Sequence, residues 1–422
     1  MANHQSEATA THQNNQMHKF SFTLLTYNIL AQSLFNRREG FSYCNHKAAL
    51  WTVRRENLLN EIEFYNSDII CLQEVDKYEE FWKDKLKELG YSSFYHAQYN
   101  PSKNFREMPY GLAFAFKSEK FELVESEVIL MEQELLSNSQ HLNISTDESV
   151  LEKEEIKHSG NIAQIFVLKS KESEDGLLIT NSHLFWRPEC NYVRLRQLML
   201  LIAHTLSVNH RYSNYPVLSV GDFNTTPNSI IYKLLHLPGR TLTKDKKIDL
   251  TNQLSIDGID IEDITLEDLE RYFNHVTFCE EKFIQDLKDS NTPEEQIFEQ
   301  LEMEKKKRMK SIKELISHFV KNYPSFRSMY SWYGKLNPQD HEEMRVHFDW
   351  DHNEVLYTMY TPDFKSTLDY IFVWNTQQHS KIELKRLLSI PLPKDIDETC
   401  LPSEKHSSDH FSLMVDCEIV HE

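Results

Sequence analysis

Short apolar runs, each bounded by polar residues, recur along most of this chain and predict buried β-strands. Residues 50–65 and 191–207 instead have the periodicity of amphipathic helices. The predicted strands are residues 20–30, 68–75, 111–117, 162–169, 177–183, 216–221, 368–374 and 411–417. Because these strands alternate with helical stretches, the pattern predicts a mixed α/β fold.

Changes in composition along the chain suggest how it is divided. Residues 1–19 are polar and lack the apolar core of a signal peptide, which predicts a flexible tail. Residues 125–160 contain many glutamates and are predicted to form a solvated loop. Charge density rises again over residues about 242–345, which predicts a helical insertion. We therefore expect residues 20–422 to form a single domain that carries this insertion.

The insertion contains one clear helix signal. Thr292, Pro293 and Glu295 have the cap, first-turn proline and N3 glutamate of a helix start, and the helix is predicted to reach about Val320. Its predicted apolar stripe consists of Ile297, Leu301, Ile312, Leu315, Ile316 and Phe319. This stripe favours a helix packed on the main domain. The alternative is that the basic run Lys305–Arg308 binds a partner or guides RNA.

Charge and cysteine content restrict the class of protein. The formal net charge is −19, which argues against a protein that coats nucleic acid, because such binding requires clustered Lys and Arg. An acidic enzyme can still bind a few phosphates if metal ions supply positive charge. The six cysteines are widely spaced, which argues against a disulfide framework or a zinc site and predicts a reducing compartment. We expect a soluble intracellular protein, cytoplasmic rather than nuclear, with no membrane partner.

Polar side chains capable of metal binding or proton transfer stand at or near the ends of six apolar segments. They are Asn28, Glu74, His183, Asp222 with Asn224, Asp369, and Asp409 with His410. Each alone has a structural explanation as a turn residue or a cap. Together they are the group types that metal-assisted phosphodiester hydrolysis requires.

The residue types suggest roles in such a site. Glu74 and Asn28 offer oxygen ligands suited to Mg²⁺. Asp222 can take a proton from the attacking water or hold a second ion. Asn224 can orient water or a phosphoryl oxygen without adding charge. Gly221 is expected to let the backbone turn tightly where a substrate phosphate approaches.

The two histidines complete this set. His183 and His410 can donate hydrogen bonds to phosphoryl oxygens. Asp369 is the candidate for the carboxylate that fixes the tautomer of His410 and raises its proton affinity. These assignments predict a catalytic site assembled from residues spread over nearly the whole chain.

Six segments carry a resemblance to a known family. They are TYNILAQ (26–32), ICLQEV (70–75), NSHLFW (181–186), VGDFN (220–224), LDYIF (368–372) and SSDHFSL (407–413). In this order they resemble the endonuclease/exonuclease/phosphatase superfamily, and within it the deadenylase branch. That branch includes the carbon-catabolite-repressor-type nuclease, nocturnin, the Angel proteins and 2′-phosphodiesterase.

The resemblance implies a fold and a set of site residues. The fold is an α/β architecture with two mixed β-sheets packed face to face and helices on the outside, a DNase-I-like four-layer sandwich. Mg²⁺ is the implied cofactor, with Mn²⁺ as a substitute, bound as one or two ions. Glu74 is the implied metal ligand, and Asp409 lies beside a second ion. Pro188 and Phe364 stand where members specific for poly(A) hold the adenine.

These observations lead to one main hypothesis and two alternatives. The main hypothesis is a Mg²⁺-dependent 3′ to 5′ exoribonuclease that releases nucleoside 5′-monophosphates and prefers poly(A). Its partner would be RNA, at poly(A) 3′ ends, and a protein partner could bind the insertion. The first alternative is a phosphatase or phosphodiesterase acting on a small nucleotide such as NADPH or 2′,5′-oligoadenylate. The second, a non-catalytic scaffold, is disfavoured because all the expected charged site residues are present.

Overall fold

The computed structural model describes most of the chain. It covers residues 20–36, 41–100, 106–137, 149–157, 159–236, 255–256, 259–260, 265–273, 276–333, 348–374, 380–394, 396 and 400–421. The tail predicted over residues 1–19 lies outside these described residues. None of the helices in the described ranges has the length and apolar character needed to cross a membrane.

The strands alternate with helices, as the hydrophobic pattern predicts. They are β1 (Phe20–Asn28), β2 (Ile69–Asp76), β3 (Tyr91–Asn100), β4 (Arg106–Lys117), β5 (Phe121–Leu130), β6 (Ile162–Ser170), β7 (Gly176–His183), β8 (Val217–Asp222), β9 (Ser255–Ile256), β10 (Ile259–Asp260), β11 (Phe326–Ser328), β12 (Phe348–Asp349), β13 (Glu354–Val355), β14 (Met359–Tyr360), β15 (Lys365–Ser366), β16 (Asp369–Trp374), β17 (Ser380–Leu387) and β18 (Leu413–His421).

The α-helices of the described residues are α1 (Gln32–Phe35), α2 (His46–Ala49), α3 (Trp51–Tyr65), α4 (Lys83–Glu88), α5 (Met131–Leu136), α6 (Val150–Ile156), α7 (Asn191–Arg211), α8 (Ile230–His236), α9 (Leu266–Glu270), α10 (Thr277–Asp289) and α11 (Glu294–Asn322). A π-helical turn spans Tyr78–Trp82, and a 3₁₀ turn spans Met329–Trp332. The helices predicted near residues 50–65 and 191–207 correspond to α3 and α7.

Twelve of the described strands form two six-stranded sheets. The first has the order β17-β18-β1-β2-β4-β3, and the second has the order β11-β16-β8-β7-β6-β5. Pairing is parallel between β1 and β2 and between β7 and β8, and it is antiparallel at the other junctions. Both sheets are therefore mixed.

Three apolar layers hold the two sheets and the helices together. On β1, Leu24 faces the layer between the sheets, while Leu25 faces the layer beneath α3 and α4. On β7, Ile179 faces the layer between the sheets, and Leu178 faces the layer shared with α7 and α11. Because both faces of each sheet are covered, the central strands are apolar almost throughout. The predicted fold class, two mixed sheets face to face with helices outside, is confirmed.

Three long strands were not predicted from the hydrophobic pattern, and all three lie at sheet edges. β3 and β17 are the two edges of the first sheet, and β5 is an edge of the second. The prediction of a loop over residues 125–160 is wrong in part, because β5 runs to Leu130 and is followed by α5 and α6. β5 contains three glutamates, and its exposed residues alternate with buried or half-buried ones over Phe121–Glu127, so its sequence resembles that of a polar loop.

The long helix of the insertion is confirmed as α11, and all six predicted stripe residues are buried. Its start differs by one residue, because Pro293 rather than Thr292 occupies the N-cap and no side chain caps the helix. The region is also not helical throughout. β11, at residues 326–328, pairs with β16 and extends the second main sheet inside the range assigned to the insertion.

Two residues of the basic run Lys305–Arg308 form ion pairs with neighbouring helices. Arg308 forms an ion pair with Glu155 of α6 at 2.8 Å, and both side chains are almost completely buried. Nζ of Lys305 lies 3.2 Å from Oε2 of Glu280 on α10. These contacts favour the packed-insertion interpretation over an RNA-guiding role for Lys305 and Arg308.

Candidate active site

Three of the predicted site residues stand side by side at the ends of neighbouring strands. His183 on β7 is paired in register with Asp222 on β8, and Asp222 is paired with Asp369 on β16. Residues directly opposite each other on adjacent strands point to the same face of a sheet. The register thus places an imidazole and two carboxylates at one edge of the second sheet.

The first sheet brings two more residues to the same edge. Asn28 is the last residue of β1, and its Nδ2 donates to Oδ2 of Asp222 at 3.0 Å across the gap between the sheets. Glu74 on β2 is buried, and its Oε2 accepts a hydrogen bond from the Ala31 backbone N–H at 3.2 Å. The site therefore forms only where the two sheets meet.

The backbone is strained at three points around this edge. Leu30, Glu74 and Asn224 have φ angles of 54°, 54° and 47°, in the left-handed region that side chains other than glycine rarely adopt. Glu74 lies within the register shift of β2 against β4, where a bulge re-aims side chains. Strained residues of this kind tend to cluster at functional sites.

The contact with the neighbouring strand explains why residue 221 is glycine. Its φ is +133°, and a Cβ atom built there would lie 2.0 Å from the carbonyl oxygen of Ser182 on β7. Glycine is required because the adjacent parallel strand approaches too closely for any side chain. The predicted role of Gly221, a tight backbone turn where a substrate phosphate approaches, stays a prediction.

A chain of hydrogen bonds fixes the orientation of the His410 ring. Its Nδ1 lies 2.7 Å from Oδ2 of Asp369, as predicted for the carboxylate that orients this ring. The same oxygen accepts a hydrogen bond from the Thr358 hydroxyl at 2.6 Å. Thr358 in turn accepts from the backbone N–H of Asp369, so the carboxylate cannot turn away. The opposite ring atom, Nε2, lies 3.9 Å from Oδ2 of Asp222.

The electrostatics of this buried group are matched to acid–base chemistry. Burial, followed by the nearby Asp369 carboxylate, raises the pKa of Asp222 above the usual range of an aspartate. Burial alone would lower the pKa of His410, but the carboxylates of Asp369, Asp409 and Asp222 outweigh it and raise that pKa to about 10. His410 is consequently protonated at neutral pH, and Asp222 is a more basic carboxylate than one in water.

The donor atoms at this edge fit a hard divalent cation. Glu74 and Asp222 are buried carboxylates, and the Asn28 carboxamide oxygen accepts one hydrogen bond, from Leu30 N–H at 3.1 Å, which leaves its second lone pair for a metal. Oxygen-only donor sets of this type suit Mg²⁺. Glu74 and Asn28 are the residues that would hold Mg²⁺ beside Asp222.

A second grouping is less suited to the metal. Ligand atoms of Asp222, Asp369 and His410 lie within 4.8 Å of one another among the described residues. His410 Nδ1 and Asp369 Oδ2 already lie 2.7 Å apart in a hydrogen bond, which favours an orienting role for the pair over metal binding. We therefore assign these two residues to proton transfer and orientation.

The cluster opens into a groove of about 910 Å³. Its floor includes Glu74, Asp222 and His410, and its walls include Pro188 and Phe364. Phe364 is 40% exposed although it is a large apolar residue. The two residues predicted to hold a base thus line the same groove as the acid–base residues.

The remaining predicted residues have different positions. His183 lines the groove, and its Nε2 lies 3.6 Å from Oδ2 of Asp222. Asn224 also lines the groove, and its side-chain Nδ2 donates to the Leu184 carbonyl oxygen at 2.9 Å. Asp409 is buried behind His410 and does not belong to the groove lining. Asp409 is nevertheless close enough to help raise the pKa of His410, and its role at a second ion stays a prediction.

Sequence reasoning missed two buried arginines that fix the loops around the site. Arg54 of α3 donates to the carbonyls of Ile29 and Ser407, each at 2.8 Å, and so ties together the chain after β1 and the chain before His410. Arg194 of α7 donates to the carbonyls of Phe185, Arg187 and Pro188 at 2.9, 2.5 and 2.7 Å. A signal existed for Arg54, which shares the buried helix face of Leu58 and Ile62.

Asn161 was also missed. It precedes β6, lines the groove, and its Nδ2 donates to the carbonyl oxygen of His183 at 2.8 Å. Gln197 of α7 donates to Asn161 Oδ1 at 3.0 Å and fixes the direction of the carboxamide. The two amides hold the end of β7, and with it His183, in place.

Comparison with known proteins agrees with this geometry. A family model described as "Endonuclease/Exonuclease/phosphatase family" matches residues 25–410. The chain belongs to the endonuclease/exonuclease/phosphatase family. The resemblance drawn from the six sequence segments is therefore confirmed.

Individual relatives match only part of their own length. The chain is 34% identical over 221 residues to RNA exonuclease NGL2 of Saccharomyces cerevisiae, covering 49% of this chain and 41% of that protein. It is 30% identical over 224 residues to 2′,5′-phosphodiesterase 12 of Bos taurus, covering 49% of this chain and 34% of that protein. The alignments thus span less than half of these relatives.

The fold has a close counterpart among solved structures. The structure of ANGEL2, described as a 2′,3′-cyclic phosphatase, superposes with a TM-score of 0.60, 22% sequence identity and coverage of 95% of this chain and 96% of that one. At this level of identity the likeness establishes the shared fold alone.

Proposed function

We propose that this protein is a Mg²⁺-dependent 3′ to 5′ exoribonuclease that removes nucleoside 5′-monophosphates from RNA, with a preference for poly(A). The observation that carries the proposal is that Asp222, His410 and Glu74 line one groove together with Phe364 and Pro188. The similarity to an RNA exonuclease from yeast supports the substrate class.

The hydrolytic step follows from the positions of these side chains. A water molecule attacks the phosphorus in line with the 3′-oxygen of the preceding nucleotide, and its proton passes to Asp222 Oδ2. Asn28 donates to that same oxygen at 3.0 Å and keeps it aimed at the groove. The bond from phosphorus to the 3′-oxygen breaks, and the 3′-oxygen takes a proton from solvent. Proton transfer of this kind contributes roughly 10²–10⁴-fold to rate.

Hydrogen-bond donors and a metal ion can both stabilise the charge on the phosphoryl oxygens. His410, protonated and held by Asp369, presents Nε2 to the groove, and His183 lies on the other side of Asp222. Mg²⁺ bound by Glu74 and Asn28 would supply further positive charge to the phosphoryl oxygens. Fixed donors that match the developing charge are among the largest contributions to catalysis.

The adenosine preference rests on the groove walls. Phe364 is exposed on the short β14–β15 hairpin, and Pro188 is held by the Arg194 hydrogen bond to its carbonyl. A base held against an aromatic ring gains about 1–3 kcal/mol from stacking. The terminal base of the RNA would therefore be the one that Phe364 and Pro188 recognise.

A substrate panel tests this proposal. Purified protein is incubated with 5′-labelled poly(A), mixed-sequence RNA, 2′,5′-oligoadenylate and NADPH, with Mg²⁺ and with a chelator, beside an Asp222→Asn control. We expect Mg²⁺-dependent release of AMP from poly(A), faster than from mixed RNA, and no release by the control. Cleavage of NADPH or 2′,5′-oligoadenylate with RNA left intact would instead establish a small-nucleotide phosphodiesterase.

A further inference from the structure

An exposed tryptophan follows the first catalytic histidine. Leu184 and Phe185, directly after His183, are buried, but Trp186 is 60% exposed and lines the same groove as the acid–base residues. A tryptophan with most of its ring in solvent forgoes a large gain from burial. An aromatic face left open in a groove is suited to stacking with a planar ligand.

The next residue adds a positive charge to this face. The guanidinium of Arg187 lies 5.5 Å from the ring centre of Trp186 and 4.8 Å from that of Phe278. Arg187 and Arg194 are the arginines of the groove lining, and Arg194 is occupied by the loop carbonyls that it binds. Among the described lining residues, Arg187 is the more accessible arginine: its side chain is 37% exposed, and a phosphate would compete with Glu189, which lies 4.0 Å away.

The insertion packs against the loop that carries Trp186 and Arg187. Phe278 belongs to α10, and Cys279 and Leu301 pack in one apolar cluster with Phe185 and Cys190 from the groove loop. Asn191 at the start of α7 also donates to the Tyr272 carbonyl at 2.7 Å. The insertion thus fixes the loop that carries Trp186 and Arg187, and through Phe278 it places the guanidinium.

We propose that Trp186 and Arg187, held in place by Phe278, form a second nucleotide subsite for single-stranded RNA. Trp186 stacks on a base upstream of the terminal nucleotide, and Arg187 pairs with a phosphate of the same strand. The inference rests on the proposed exoribonuclease function. Stacking on an indole tolerates every base, so this subsite senses the length of the strand, whereas Pro188 and Phe364 sense its last base.

The test compares oligonucleotides of increasing length. The value of kcat/KM is measured in Mg²⁺ on 5′-labelled oligoribonucleotides of two to ten residues that share a 3′-terminal adenosine. Wild-type activity is expected to rise with length until the upstream base reaches Trp186. Trp186→Ala and Arg187→Ala should remove that rise, with losses of about 5- to 150-fold for Trp186→Ala on long strands and little change on the dinucleotide. Trp186→Phe should retain most of the rise.

Two controls separate stacking from general damage to the fold. Phe64 on α3 is 80% exposed and does not line the groove, so Phe64→Ala should match wild type at every length. In an Asp222→Asn background that prevents turnover, a long oligonucleotide should quench tryptophan fluorescence. Trp186→Phe should remove most of that quenching, although five other tryptophans remain of the six in the chain.

The results separate a failure of the subsite proposal from a failure of the exoribonuclease proposal. If wild-type protein leaves RNA of every length intact, the exoribonuclease proposal fails and the subsite fails with it. If wild-type protein degrades RNA but Trp186→Ala keeps the wild-type length profile, only the subsite is overturned. An equal loss at every length, the dinucleotide included, also overturns it, because that result indicates disturbance of His183.

Discussion

A buried histidine bridges two carboxylates on the side of the second sheet that packs against α7. His204 of α7 lies with Nδ1 2.5 Å from Glu127 of β5 and with Nε2 2.8 Å from Glu134 of α5. Burial alone would lower the pKa of His204, but the two hydrogen-bonded carboxylates raise it to about 9. A protonated His204 therefore clamps α7, which also carries Arg194, to the edge of the sheet.

The contribution of this clamp to stability follows from the pKa difference. The folded value is about 9 and the ordinary value is 6.5, and each pKa unit corresponds to about 1.4 kcal/mol. The difference sets an upper limit of about 3 kcal/mol, and we expect about 2 kcal/mol because both glutamates are partly exposed and solvent screens them. Because the folded pKa is raised, this stability is fully present below pH 6.5 and is lost as pH rises through about 9.

The assay is urea unfolding of wild type and His204→Gln at intervals from about pH 7 to about pH 10. The difference in the free energy of unfolding should be largest at the acid end and should shrink by about 2 kcal/mol at the alkaline end. His236→Gln is the matched control, because burial lowers the pKa of His236 to about 4 and keeps it neutral over this range. A difference for His204→Gln that does not change with pH would refute the reasoning.

Three further predictions concern the site and its supports. Asp369→Asn, which leaves His410 without its orienting carboxylate, should lower kcat by roughly 10²–10⁴-fold with an unchanged circular dichroism spectrum; near-wild-type kcat would show that the ring needs no carboxylate. Arg308→Met should cost about 3–5 kcal/mol in urea unfolding because it leaves Glu155 buried without its cation. Adding Glu155→Leu to that variant should recover most of the loss, and no recovery would contradict the ion-pair explanation. Arg194→Lys, which cannot bind the loop carbonyls bidentately, should raise KM for oligonucleotides more than it lowers kcat.

The central part of the fold was predictable because both sheets are covered on both faces. Such strands are nearly continuous apolar runs, and β1, β2, β7 and β8 stand out in the sequence for this reason. The edge strands β3, β5 and β17 did not stand out, because polar or charged residues interrupt their apolar residues. The strand β11 has only three residues and could not be told from the helical region before it.

The site was predictable for a related reason. Buried strands have few reasons to end in Asp, Asn, Glu or His, so Asn28, His183 and Asp222 were conspicuous. What the sequence pattern could not supply was the register that pairs His183 and Asp369 with Asp222, or the close strand contact that requires Gly221. Arg194 was hidden because a charged residue that binds a loop looks like any other helix surface residue.

The proposed hydrolysis requires that Asn28 and Glu74 bind a divalent cation beside Asp222. The most direct measurement is a calorimetric titration of Mg²⁺ into wild type and Glu74→Gln, with hydrolysis of a labelled oligoadenylate followed in the same samples. The account predicts that Glu74→Gln weakens Mg²⁺ binding and slows hydrolysis together, while the unfolding transition is unchanged. Full Mg²⁺ affinity and full hydrolysis by Glu74→Gln would contradict it.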